Sequence, residues 1–273
     1  MSIMSCEAPG DTGSTRAPHG SSRRSVPLYI VCSPRRSVGK TLLSRLLTEF
    51  YVIDGRPVAA FDLADEEPQL ADYLPRQTIL GDIGDTGGQM DFFERLLADH
   101  EAAKIVDVSH RVFKNFFIVV QQIGFFEEAR RRSIEPVILF MIDSDPRSAK
   151  AYGILRHWFA KTSLLPVRNQ LVAKGIPYCD AFPNESGIRV SLEIPLLGSS
   201  LRTLIDQQSF SFARFWRTTP VRLPARLDDE LRAWMKRAFV QFRELQLCLM
   251  CEEILSSLES QLQAVAGPGS REP

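Results

Sequence analysis

A chain of 273 residues is long enough to bury one sizeable α/β core with appendages and short for two full domains. Its composition, 44% hydrophobic and 24% charged, is that of a globular protein and excludes wholesale disorder. Lys and Arg number 33, as do Asp and Glu, so the net charge is zero; a duplex-coating basic protein is excluded, and DNA or membrane binding is unsupported.

Residues 1–26 are rich in Ser, Gly, Pro and Thr, carry no apolar period, and predict a disordered arm ending in the basic pair Arg23 and Arg24. That arm has no apolar stretch of the secretory type. No run anywhere reaches the roughly 18–20 apolar residues that a membrane span needs. The five cysteines, at 6, 32, 179, 248 and 251, are too scattered for a disulfide framework. Cys248 and Cys251 form a Cys-x-x-Cys, but in a Leu-rich helical stretch they predict a buried helical pair rather than a metal site. Together these features predict a reduced, cytoplasmic protein.

Short continuous apolar runs at 28–33, 58–63, 103–108, 136–142 and 164–168 predict strands buried on both faces. Helical patterns alternate with them at 40–52, 90–97, 113–132 and 147–159. The alternation predicts an α/β fold, a mainly parallel sheet flanked by helices in three layers. After Pro224, apolar residues step by threes and fours through Leu227, Leu231, Trp234, Met235, Ala238, Phe242, Leu245 and Leu249. That predicts a long amphipathic helix packed on the body, with a dimer contact as the second role. The domain plan is therefore an arm (1–26), an α/β domain (27–223), a helical extension (224–263) and a flexible tail (264–273).

The segment that carries chemistry runs from Leu28 to Thr41: an apolar strand, a tight loop, then Gly39-Lys40-Thr41 opening a helix. This is the context of a phosphate-binding loop. Backbone N–H groups at a helix start lack intrahelical partners, and the helix dipole favours negative charge there. The cradle spans Arg36, Ser37, Val38, Gly39, Lys40, Thr41 and Leu42. Gly39 allows close approach, Lys40 reaches the terminal phosphates, and the Thr41 hydroxyl holds Mg²⁺. Asp107, ending a buried strand, is the partner for the metal and its water.

Arg35-Arg36-Ser37-Val38-Gly39-Lys40-Thr41 resembles the deviant Walker A, K-G-G-V-G-K-T, of the ParA/MinD family of P-loop ATPases. Residues 58–69 resemble that family's second-strand motif, 104–109 its Walker B strand ending at Asp107, and Leu165 to Asn169 its base-contacting strand. Ile194-Pro195 matches the late Ile-Pro before its closing helix. The resemblance implies ATP and Mg²⁺ as cofactors, a homodimer and a further protein partner, with Asn169 at the base, Asp62 ordering the metal's water shell, and Arg35 stabilising terminal-phosphate charge in place of the signature lysine. The departures are specific. Pro34 supplies no N–H, Arg36 and Ser37 replace two glycines, and Ala64 stands where the family's water-positioning carboxylate falls, leaving Asp65 as its nearest substitute. Binding survives these changes better than hydrolysis does.

Three functions follow as expectations. The first is a slow, partner-stimulated ATPase switch of the ParA/MinD kind. The second is an ATP-dependent ligase of the dethiobiotin synthetase-like group, which Val38-Gly39-Lys40-Thr41 and the Leu-rich helix also resemble. The third is a degenerate, non-catalytic module, favoured by Pro34, Arg36 and Ala64. Asp85-Thr86-Gly87-Gly88-Gln89 resembles a GTPase switch sequence, but as a Gly-rich loop before a helix it is a secondary site candidate. The histidines at 19, 100, 110 and 157 are too dispersed for a metal constellation, and the basic run at Arg130–Arg132 is a solvated helix face.

Overall fold

The computed structural model describes residues 25–63, 70–173, 181–184, 187–188, 190–218 and 223–266. Seven strands form one all-parallel sheet: β1 (Val26–Cys32), β2 (Val58–Asp62), β3 (Thr78–Leu80), β4 (Ala103–Asp107), β5 (Ile134–Ile142), β6 (Ser163–Asn169) and β7 (Leu192–Ile194). Their spatial order is β3-β2-β4-β1-β5-β6-β7. β1 lies at the centre, paired with β4 on one side and β5 on the other, and Leu28 to Cys32 are fully buried. Helices on both faces explain why the central strands are apolar without alternation.

Nine helices complete the described residues: α1 (Lys40–Ile53), α2 (Leu70–Tyr73), α3 (Thr86–Leu97), α4 (Phe113–Gln122), α5 (Phe125–Arg131), α6 (Pro146–Trp158), α7 (Ser199–Ile205), α8 (Phe212–Arg217) and α9 (Ala225–Ala266). One face of the sheet packs against α1, α7, α8 and the first half of α9. The other is filled by α3 to α6 and is dominated by phenylalanine, with Phe92, Phe93, Phe116, Phe117, Phe125 and Phe126 in ring contact as a continuous cluster. All five expected strands are present within a residue or two at each end, and the three-layer α/β class is as expected.

Four differences have physical causes. The helix expected over 113–132 is two helices, because Gly124 takes a left-handed conformation (φ 60°) that ends α4 and starts α5. β3 and β7 are three residues long, too short for a period to register, and sit at the sheet edges. β1 begins at Val26, inside the stretch expected to be an arm, and α9 runs to Ala266, past the 263 boundary. Cys251 is exposed and Cys248 only partly covered, so the Cys-x-x-Cys is not a buried pair: Cys251 lies on the side of α9 turned away from the body.

α1 is anchored by charge as well as by its apolar face. Arg45, buried, donates to the carbonyls of Ile205 (2.9 Å) and Phe210 (3.3 Å) and lies 3.9 Å above the Tyr73 ring. One turn later, Glu49 accepts from the Ser211 hydroxyl and from the Ala213 N–H. Burial pushes the Glu49 pKa up, and those two donors with Arg45 oppose the shift. This network fixes the α7–α8 segment on α1 and so steadies the helix whose first turn forms the candidate site. α9 is held by Trp234, 1% exposed, whose indole N–H donates to the Pro195 carbonyl at 2.8 Å. Trp234→Ala is expected to cost about 3–5 kcal/mol, through lost burial and an unpaired carbonyl. Urea unfolding measures it, and a loss below ~1 kcal/mol would contradict this anchoring role.

Candidate functional site

The carboxyl ends of β1, β2 and β4 lie side by side, and the parallel register determines what meets there. Asp62 pairs with Asp107, and Asp107 with Val31. Both aspartates are buried. The loop from Ser33 to Gly39 crosses above them and feeds α1. Gly39 precedes that helix with φ 100°, a left-handed value, and no side chain caps the first turn. A Cβ on Gly39 would also lie 2.5 Å from the Asn169 amide nitrogen, so two constraints demand glycine there. Ser37 adopts φ 58°, the conformation that the family's glycine would take more easily.

Lys40 is buried and its ammonium donates to the Arg35 carbonyl at 2.7 Å, folding back under the loop. Thr41 follows on the same turn, with its hydroxyl beside the Asp107 carboxylate. The Asp107 Oδ2 oxygen is buried with no hydrogen-bond partner. Burial pushes the Asp107 pKa up to about 7; the nearby Thr41 hydroxyl opposes this, the Asp62 charge adds to it, and Lys40 opposes it. Asp62 accepts the Ala71 N–H at 3.1 Å. The structure therefore brings together Lys40, Thr41, Asp62 and Asp107 under one loop.

The remaining expected site residues are placed differently. Arg35 turns outward to Asp145 at 2.8 Å. Asp145 caps α6 and is shared with Arg147, whose side chain and backbone, together with Arg35, hold its pKa down to about 2. Both arginines are well exposed, so solvent screens this pair and little energy is needed to release Arg35. Asn169 does not stand open for a base. Its amide donates to the Val38 carbonyl (3.1 Å) and accepts the Leu171 N–H (3.1 Å), which braces the loop from below. Arg36 is exposed on the loop, and Thr41 and Leu42 are half-buried. Asp65, with Ala64 and the rest of 64–69, lies outside the described residues. In the switch-like stretch, Asp85 caps α3 by accepting the Gly88 N–H, and the Gln89 amide donates to the Ile83 carbonyl; both serve local structure.

A residue that the sequence reading passed over stands at the end of β5. Asp143 is buried and accepts from the Asp145 N–H (2.7 Å) and the Ser148 hydroxyl (2.8 Å). With Arg35, Arg36, Ser37 and Asp145 it lines a cavity of about 360 Å³ beside the loop. Its signal was available, since Asp143-Ser144-Asp145-Pro146 is a strand-end carboxylate followed by an N-cap and a first-turn proline. Among the described residues no three His, Cys, Asp or Glu side chains gather as a metal cage. The donor set at Thr41 and Asp107 is hard oxygen, and it includes an unpaired buried oxygen. It fits Mg²⁺, which is held by few protein ligands and keeps water and phosphate in its shell.

Gly39→Ala is expected to destabilise the fold by about 2 kcal/mol, through its backbone conformation and the clash with Asn169. A change under ~0.5 kcal/mol in urea unfolding would contradict that geometry. Asp107→Asn is expected to act in the opposite direction, with a sign set by linkage. A carboxyl whose folded pKa lies above its unfolded value holds extra protons in the native state, so its contribution to stability is fully present at low pH and declines between about pH 4 and 7. The variant should therefore gain on wild type across that window, reaching on the order of a few kcal/mol above pH 7 in denaturation series. No family model matches the chain, and no curated protein matches its sequence.

Proposed function

We propose that this protein binds ATP with Mg²⁺ at the loop between β1 and α1, as a P-loop protein of the ParA/MinD kind with slow, partner-stimulated turnover. The observation that carries the reading is a buried Asp107 carboxylate beside Thr41 with one oxygen left without a partner, below a helix opened by Gly39 and Lys40. A carboxylate left in this state is costly unless a proton or a cation satisfies it. Mg²⁺ would supply charge neutralisation and orientation for the phosphates.

Each residue then has a task within reach. Thr41 would supply an oxygen ligand to the metal, and Asp107 would help to hold the metal through its charge. Lys40 exchanges the Arg35 carbonyl for the terminal phosphates, as an ammonium on a flexible stem can. The first-turn N–H groups through Leu42 face the phosphate chain. Arg35, released from its exposed pair with Asp145, places a guanidinium at the terminal phosphate. Asn169 acts through the loop by fixing Val38, which makes it a positioning residue.

A second reading, nucleotide binding without turnover, is favoured by the state of the carboxylates. Asp62 is already engaged by the Ala71 N–H, and both it and Asp107 are buried beneath the loop, so neither stands open to hold an attacking water. Calorimetric titration of Mg-ATP into wild type and Lys40→Ala tests the binding shared by both readings. Affinity is expected to fall by at least about tenfold in the variant, and equal affinities would remove the assignment. Phosphate release from the same wild-type sample separates the two: slow turnover supports the switch, and a ligand-induced rise in Tm with no release supports the binding module.

A further inference from the structure

Past its buried first half, α9 roofs the amino edge of the sheet, at the end opposite the β1–α1 loop. The roof is fastened at two points. Glu253 accepts the Ser25 N–H at 2.7 Å, and Glu252 lies so close to Gly187 that a Cβ there would run into its carboxylate. Beneath lies a cavity of about 1010 Å³. Its floor is formed by the first residues of β1, β4 and β6 and by the Tyr29–Tyr51 pair, whose hydroxyls are 3.2 Å apart. Leu249 and Met250 give it an apolar wall. The volume suits a whole small molecule rather than a bound water or two.

The polar lining is out of balance. Glu135, near the start of β5, shares the cavity with Glu252 and Glu253. Arg130 is the cation beside them, and its guanidinium is committed to Glu135 (3.3 Å), the Lys161 carbonyl (3.0 Å) and the Thr162 hydroxyl (2.7 Å). Burial pushes the Glu135 pKa up, Arg130 opposes the shift, and the Glu252 and Glu253 charges add to it. Burial raises the Glu252 pKa too, and there no cation opposes it. Over the whole lining five glutamates meet Arg56, Arg130 and Lys161, an excess of two negative charges. In the same lining, the side-chain nitrogen of Gln246 is buried with no hydrogen-bond partner.

We propose that this cavity binds an alkyl polyamine of the spermidine class. The inference does not rest on the nucleotide reading, which concerns the other end of the sheet. Carboxylates held partly out of water are stabilised by pairing with a cation. A single metal ion does not serve, because among the described residues no three ligand side chains gather closely enough to hold one. The negative charge is spread along the cavity, and a chain with ammonium groups several ångströms apart matches that spread. Its methylenes lie against Leu249 and Met250, and the Gln246 amide has an oxygen that accepts from an ammonium. The same glutamates reject nucleotides and other polyanions.

The test is calorimetric titration of spermidine into the full chain at about 0.15 M salt, where exposed charges are largely screened. One site per chain is expected, with Kd below about 100 µM. Glu252→Gln is expected to weaken it at least about tenfold. Ser256→Lys, which sets an ammonium one turn from Glu252 at an exposed position, is expected to do the same. Glu94→Gln, on the exposed face of α3, and Lys40→Ala, in the phosphate loop, are expected to leave the affinity unchanged. The urea midpoint of each variant shows that it is folded. Binding that is absent, does not saturate, or survives Glu252→Gln and Ser256→Lys overturns the proposal. So does Mg²⁺ alone binding with the same dependence on Glu252, since a point charge would then suffice. Replacing Arg23 and Arg24 by alanine is expected to change nothing; a rise of about tenfold would make the chain's own arm the occupant and overturn it as well.

Discussion

The arrangement at the sheet's carboxyl edge depends on one approach, of Thr41 to the buried Asp107 carboxylate. It joins the first turn of α1 to the end of β4, two elements that are separated in the chain and held side by side by β1. The register of β1 against β4 and of β4 against β2 sets Val31, Asp107 and Asp62 level. A register slip would lift Asp107 out of reach of Thr41. Parallel sheets buried on both faces resist such slips, because every central side chain is already packed.

The loop above this edge is held on internal partners. Lys40 rests on the Arg35 carbonyl, Arg35 on Asp145, and Val38 on Asn169. These contacts differ in strength. The Asn169 amide is buried and its bonds are sheltered, whereas the Arg35 pair is exposed and screened. The base of the loop is therefore rigid and its outer arm is easily moved. This division suits a cradle that must stay formed while its cationic side chains exchange partners.

Most of this architecture was legible in the sequence, and the failures are instructive. The five buried strands announced themselves as continuous apolar runs, and Gly39-Lys40-Thr41 marked the helix start. Asp62 and Asp107 were legible as strand-end carboxylates, but their pairing was not, because register is a property of two strands. The role of Asn169 was hidden for a similar reason: its partner, Val38, is 131 residues away. β3 and β7 were invisible because three residues carry no period, and the break at Gly124 was masked by apolar spacing that continues across it. Asp143 was hidden because its setting, beside the loop from Arg35 to Ser37, comes from strand order and not from any local pattern.

The charge balance under the loop is unfavourable when every group is ionised. Lys40 contributes one positive charge to a buried space that also contains two carboxylates. With both ionised, one negative charge is uncompensated where the dielectric is low. The protein without ligand relieves this by proton uptake, as the shift of Asp107 to about 7 records. Under the proposed binding, a divalent ion would relieve it differently, by pairing with the ionised carboxylate while phosphate oxygens took over Lys40. Near neutral pH the proton on Asp107 is held weakly enough for such an exchange, because a group titrating at about 7 is half protonated there. The same buried aspartate that costs the free protein stability would then favour the bound ion, one form of charge compensation replacing the other.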